Sequence, residues 1–302
     1  MKGIIFGLMV SLGANAATSG DADTIYAKRG EDFKNALQAA NLYKTAAEGS
    51  RSTKDLVDNK LGEAKALYYY GNKVSSKEEK KSVYTRAYKA AQNAIAKSSA
   101  SKGVPAEGFS KSDLAVAHYF YAINLARWGN ANGISASIGK LPELMENLEL
   151  TNKLDETVEN FGAYRTAGRV RFKVPAALAR LRGLSNFSTE DALDDLFNAY
   201  DNSVISIEEL DVETSANTTT TVYLLDVLAD LGERGDFCEI FSGMKALSTA
   251  SDAVLAKYFP TKVPESKEDI ANLMACAAKK DDCEKGDFQS GKEIFELSKR
   301  CR

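Results

Sequence analysis

The chain has 302 residues, of which 44% are apolar, and 39 lysines and arginines stand against 42 aspartates and glutamates for a net charge of −3. That apolar share suffices for a substantial core, and a weakly acidic chain has no bulk attraction for nucleic acid. A single histidine, His118, removes most catalytic and metal-binding arrangements that depend on imidazole.

The chain opens Met1-Lys2-Gly3-Ile4-Ile5-Phe6-Gly7-Leu8-Met9-Val10 and reaches Ala14-Asn15-Ala16. One lysine, a short apolar run and an A-x-A site predict a secretory signal over 1–16, cut near Ala16. The mature domain is then 17–302, placed in the periplasm or secreted. The apolar run is shorter than the roughly 20 residues that span a bilayer, so no membrane span is expected. A lipid anchor would need a cysteine at the cleavage point, and the nearest one is Cys238.

Five prolines and few β-branched runs predict helix throughout. A first helix is read over 24–48, where Phe33, Ala36, Leu37, Ala40 and Tyr43 recur at three and four residues as one apolar stripe. The second, over 54–70, follows Ser52 as N-cap and stops at Gly71, read as its left-handed C-terminal cap. The third covers 77–97. After a loop with Gly103, Pro105 and Gly108 comes a helix over 113–128, capped by Ser110 or Ser112 and ended by Gly129. Leu114, Ala117, His118, Tyr121, Ala122 and Leu125 form one of its stripes, and Val116, Phe120 and Ile123 a second. A helix apolar on two sides is expected between neighbours, so this one is central.

Helices over 141–150, 156–173 and 189–200 follow, and Ile205 to Thr220, rich in threonine and acid, reads as a lengthened connection. This is a candidate sub-boundary, with helices over 222–231, 236–247, 252–258, 267–277 and 291–299 making a C-terminal part, 221–302. Cys238, Cys276, Cys283 and Cys301 all lie there, and two disulfides are expected because the chain is exported; three pairings remain open. The nearest pair is too widely spaced for paired zinc ligands, so no metal site is expected.

Three helices end in a like phrase: Ala66-Leu67-Tyr68-Tyr69-Tyr70-Gly71, Asn124-Leu125-Ala126-Arg127-Trp128-Gly129 and Leu228-Ala229-Asp230-Leu231-Gly232. Large apolar residues leading into a glycine, then a second helix, mark tetratricopeptide-like pairs, although the spacing departs from a constant period of about 34 residues. The expected fold is all-α: stacked helical hairpins in a degenerate array. One hairpin cannot bury its apolar face alone, so neighbours stack and leave a concave side.

Ala117-His118-Tyr119-Phe120-Tyr121-Ala122-Ile123-Asn124-Leu125-Ala126-Arg127-Trp128-Gly129, with Tyr164-Arg165-Thr166-Ala167-Gly168-Arg169-Val170 and then Pro175, resembles the TatT family. These are periplasmic tetratricopeptide-like T-components of TRAP transporters. The resemblance covers about 24–175. It implies degenerate helical repeats, a groove or pore, and partnership with the substrate-binding subunit of a small-molecule uptake system. The cysteine-bearing tail departs from the family pattern.

Of chemistry the sequence offers little. No G-x-S-x-G elbow, H-E-x-x-H or phosphate-binding loop occurs, and His118 sits on an apolar stripe, where a core imidazole bonded to a neighbour is the expected reading. No enzyme and no cofactor are expected. Arg165, Arg169 and Lys173 recur every four residues on one helix face, where guanidinium forks suit a carboxylate ligand. The alternative, for the whole basic stretch that also includes Arg171, Arg180 and Arg182, is pairing with acidic neighbours such as Glu190, Asp191, Asp194 or Asp195. Trp128 with Tyr119, Tyr121 and Tyr164 suits either an aromatic groove or core packing. Candidate ligand contacts are thus Tyr119, Asn124, Arg127, Trp128, Tyr164, Arg165 and Arg169. Function is expected to be protein interaction in an uptake system, with binding of a small carboxylate or apolar ligand as the alternative.

Overall fold

A computed structural model describes residues 18–286 and 288–301. The signal expected over 1–16 lies outside the described residues. Among those described, the chain is helical apart from two short antiparallel hairpins, so the all-α expectation holds. No described helix is long and apolar enough to cross a membrane.

The helix expected over 24–48 is two helices. A capping box at Thr18 starts α1 (Ser19–Ala27), and α2 (Lys34–Glu48) follows a 3-10 turn over Lys28–Gly30. The break has two local causes. The Asp32 carboxylate accepts from the Lys34 amide at 2.9 Å, competing with helical bonding. A side chain at Gly30 would lie 2.7 Å from Pro264, so the turn is drawn tight against the far end of the chain.

Ser52 caps α3 (Thr53–Lys73) as expected, accepting from the Asp55 amide at 3.0 Å. Gly71 does not end it: the residue is helical and buried, and a Cβ there would lie 2.6 Å from the Tyr84 ring of α4 (Lys77–Ser98). The glycine serves close helix approach rather than a left-handed cap. A small hairpin, β1 (Ser99–Ser101) and β2 (Val104–Pro105), leads to α5 (Lys111–Asn132), started by a capping box between Ser110 and Asp113. Buried residues run along both predicted stripes, which makes α5 the central helix. It passes through Gly129 and ends at Gly133, whose φ of 86° supplies the turn.

Short α6 (Ile134–Ser137) precedes α7 (Leu141–Asp155), with Pro142 in its first turn. The helix expected from Glu156 begins later, as α8 (Gly162–Lys173), because Glu159, Asn160 and Phe161 are all left-handed at φ 51°, 54° and 57°. After α9 (Ala176–Arg180) and α10 (Thr189–Asp201), the expected connection over 205–220 is instead a hairpin and a helix start. Val204, Ile205, Ile207, Val212 and Thr214 suit β3 (Val204–Ile207) and β4 (Val212–Ser215), paired from Val204↔Ser215 to Ile207↔Val212. Asn217 then caps α11 (Thr218–Leu231), ended by Gly232 at φ 75° as expected.

The chain finishes with α12 (Arg234–Leu247), α13 (Asp252–Tyr258), α14 (Val263–Ala278) and α15 (Gly291–Ser298). Disulfides join Cys238 to Cys301 and Cys276 to Cys283. The C-terminal core they fasten begins before the hairpin, since Phe172, Ala192 and Leu196 belong to it with Leu224, Phe237, Leu273 and Ile294.

Helices from α1 to α5 pack serially, so the chain curves, and its two ends meet. Arg29, in the turn after α1, is buried against α14: its guanidinium pairs with Glu265 at 3.2 Å and donates to the Thr261 carbonyl at 2.6 Å. The same group stacks over Tyr26 at 4.5 Å and lies 5.3 Å from the Tyr69 ring centre. Lys73, at the end of α3, pairs with Glu268 on α14. The array therefore closes on itself, and its concave side becomes a cavity.

Candidate functional site: a cationic, phenol-lined cavity

The cavity has a volume of about 1030 Å³ and is walled by residues of α3, α5, α8, α11 and α14. This is at the upper end for small-molecule sites, which run roughly 300–1,000 Å³.

One corner is built around the left-handed turn before α8. Glu159 points its carboxylate at Lys262 at 2.7 Å and at Lys65 at 3.4 Å. Burial pushes the carboxyl up, but Lys262 and Lys65 outweigh it and hold Glu159 at about 2. Arg165 donates to the Glu159 carbonyl at 3.2 Å, the Asn160 carbonyl at 3.1 Å, Thr220 Oγ1 at 3.2 Å and Tyr119 OH at 3.1 Å. All four acceptors are neutral oxygens. Lys65 and Lys262 thus share the Glu159 carboxylate while Arg165 meets only neutral oxygens, and these four groups sum to two positive charges in one recess.

A Cβ at Gly162 would sit 2.7 Å from the Tyr119 ring, so glycine lets α8 start against that phenol. Deeper in, Arg127 donates to Tyr223 OH at 3.3 Å and lies 5.7 Å from the centre of the Tyr68 ring. Burial pushes the Tyr68 phenol up; the Arg127 and Arg165 guanidiniums overcome this and leave it below the ordinary tyrosine value.

Beyond Lys262 the lining continues along α14. Asp269 Oδ2 accepts from Thr219 Oγ1 at 2.7 Å and Thr218 Oγ1 at 2.8 Å, at the start of α11. Burial, with Glu268 and Glu265 adding, pushes Asp269 up to about 6 in spite of those bonds. A carboxyl pKa raised on folding makes stability fall as pH rises from about 4 through about 6, since the folded state holds the proton longer. Asp269→Asn, which has no such titration, is expected to gain about 2 kcal/mol on the native protein between pH 4.5 and 7.5. Urea melts of both proteins at the two pH values measure this; an equal difference at both would refute it.

Among the residues singled out by sequence, Tyr119, Arg127, Arg165 and Arg169 line the cavity, as does Lys173. The other three do not. Asn124 is wholly buried in α5, donating to the Phe120 carbonyl at 2.8 Å. Trp128 packs edge-on to Tyr88, and Tyr164 turns toward Glu156 at 3.3 Å. Arg169 pairs at 2.6 Å with Asp226, an acid the sequence did not nominate, and Arg171 pairs with Asp195, which it did. His118 Nδ1 lies 2.7 Å from Asn147 Oδ1 away from the cavity, and burial pushes its pKa down. Sequence reasoning missed Lys65, Tyr68, Glu159, Lys262 and Asp269 as site residues. Only Tyr68, in the Tyr68-Tyr69-Tyr70 run, carried any local signal.

No protein-family model matches this chain, and no curated protein matches it.

Proposed function

We propose that this is an exported helical-repeat protein that holds a small, carboxylate-bearing ligand in its cavity, as an accessory component of a small-molecule uptake system. The observation that carries the reading is the corner where Lys65 and Lys262 share the single carboxylate of Glu159 and Arg165, bonded only to neutral oxygens, adds a third positive charge. In a sheltered recess two surplus positive charges attract an anion far more strongly than on an open surface. Phenols on the other walls offer flat apolar faces and hydroxyl donors for the rest of the ligand. The disulfides fit a protein outside the reducing cytoplasm.

The resemblance to the T-components of TRAP transporters supports the setting, in which the partner is a substrate-binding subunit and no reaction is catalysed.

Thermal and chemical melts against short mono- and dicarboxylates test the ligand. At 100 times its dissociation constant a ligand adds about 2.7 kcal/mol, and Lys262→Met should lose most of that gain. No stabilisation by any carboxylate would remove the reading. Co-purification of a substrate-binding subunit from the native periplasm tests the partner.

A further inference from the structure

The face that α14 turns to the cavity carries Lys262 at its N-cap, then Glu265, Ser266, Asp269 and Asn272. Spacings of three, four, seven and ten residues keep these on one side of a helix. Lys262 belongs to the cationic corner, and Asp269 lies seven residues on, a rise of about 10 Å. The two ends differ in sign. At the Asp269 end Oδ2 is satisfied by Thr218 and Thr219, whereas Oδ1 accepts no bond from a described residue. Between the ends, the Ser266 hydroxyl is wholly buried and has no hydrogen-bond partner among the described residues. Buried polar groups left unsatisfied cost about 1–3 kcal/mol each, a cost that a bound ligand relieves.

We infer that the ligand is elongated and carries two unlike ends: an anionic group at the Lys262, Lys65 and Arg165 corner and an ammonium some two helical turns away at Asp269. The inference deepens the proposed function and rests on the cavity being the ligand site. Simpler ligands fit the charges less well. A monocarboxylate fills the cationic corner and leaves Asp269 Oδ1 without a donor. A dicarboxylate sets a second negative charge against Asp269, and a plain amine meets the cationic corner. A linear ω-amino acid or a short peptide has the required polarity along its length, and its middle passes Ser266.

Isothermal titration of the whole chain with 6-aminohexanoate, hexanoate and hexanedioate at pH 7.5 tests this. A charge-assisted hydrogen bond to Asp269 should make 6-aminohexanoate bind at least tenfold more tightly than hexanoate, with hexanedioate weakest. In Asp269→Asn the advantage should shrink to under threefold while hexanoate binds as before. Lys262→Met should weaken all three probes. Equal binding of 6-aminohexanoate and hexanoate to the native chain, or an advantage untouched by Asp269→Asn, overturns the inference and leaves the carboxylate site standing. Failure of all three probes to bind at 10 mM overturns the inference and the ligand site together.

Discussion

Asp226→Ala is expected to lower stability by about 3–5 kcal/mol, the cost of breaking a buried pair from one side. Asp226 is 0% exposed on α11 and accepts from three sources: Arg169 Nη1 of α8 at 2.6 Å, the Gln289 amide at 2.9 Å and the Ser290 amide at 2.7 Å. One carboxylate thus ties α8 to α11 and fixes the start of α15. Alanine would strip the carboxylate from a buried guanidinium and leave two backbone donors without acceptors. Asp226→Asn keeps an acceptor oxygen but not the charge, and should fall between. Urea unfolding checks both: the midpoint should drop with little change in slope. A loss under 1 kcal/mol for the alanine variant would show that the junction relaxes without the carboxylate.

Arg165→Ala should be the next most damaging, at about 3 kcal/mol. Its guanidinium holds the carbonyls of Glu159 and Asn160 in a run of three left-handed, non-glycine residues. Such backbone costs of order 1–3 kcal/mol per residue and persists only where its surroundings impose it. Removing the clamp therefore loses the hydrogen bonds and releases the turn that aims Glu159 at Lys65 and Lys262. Arg165→Lys should rescue little, because a single ammonium cannot span Tyr119, Thr220 and two carbonyls as a planar fork does. Asn160→Gly added to Arg165→Ala should restore part of the loss by easing the left-handed backbone. Denaturant midpoints of the single and double variants decide it; a double variant no more stable than Arg165→Ala would show that the strain is not what the arginine holds in check.

Helices were legible wherever caps and stripes agreed. Ser52 starts α3 as its sequence position implies, and Ser110, one of the two caps read for it, starts α5, since an N-cap is a local bond between a side chain and an amide three residues on. Glycines were the main source of error. Gly71, Gly129 and Gly232 follow the same kind of phrase, yet only Gly232 is a left-handed stop. Gly71 is there for Tyr84, a residue of the next helix, and a contact across helices leaves no local trace.

The site divides along the same line. Arg165, Arg169 and Lys173 could be put on one face by counting fours, and all three line the cavity. Their roles could not be counted out. Whether Arg165 meets a ligand or a carbonyl depends on the left-handed turn, and Arg169 finds its acid 57 residues away on α11. Asn124 and Trp128 were nominated from the same helical phrase as Arg127, but helix rotation turns only Arg127 inward.

The sequence alone determined the helical class, the capped starts and the amphipathic faces, because each follows from neighbours within one or two turns. Tertiary structure decided the site. Arg29 reaching Glu265 and Lys73 reaching Glu268 close the array, and only that closure brings Lys262, Ser266 and Asp269 of α14 to face Lys65 and Arg165. Charges so far apart in the chain share an electric field only after folding has excluded most of the water between them.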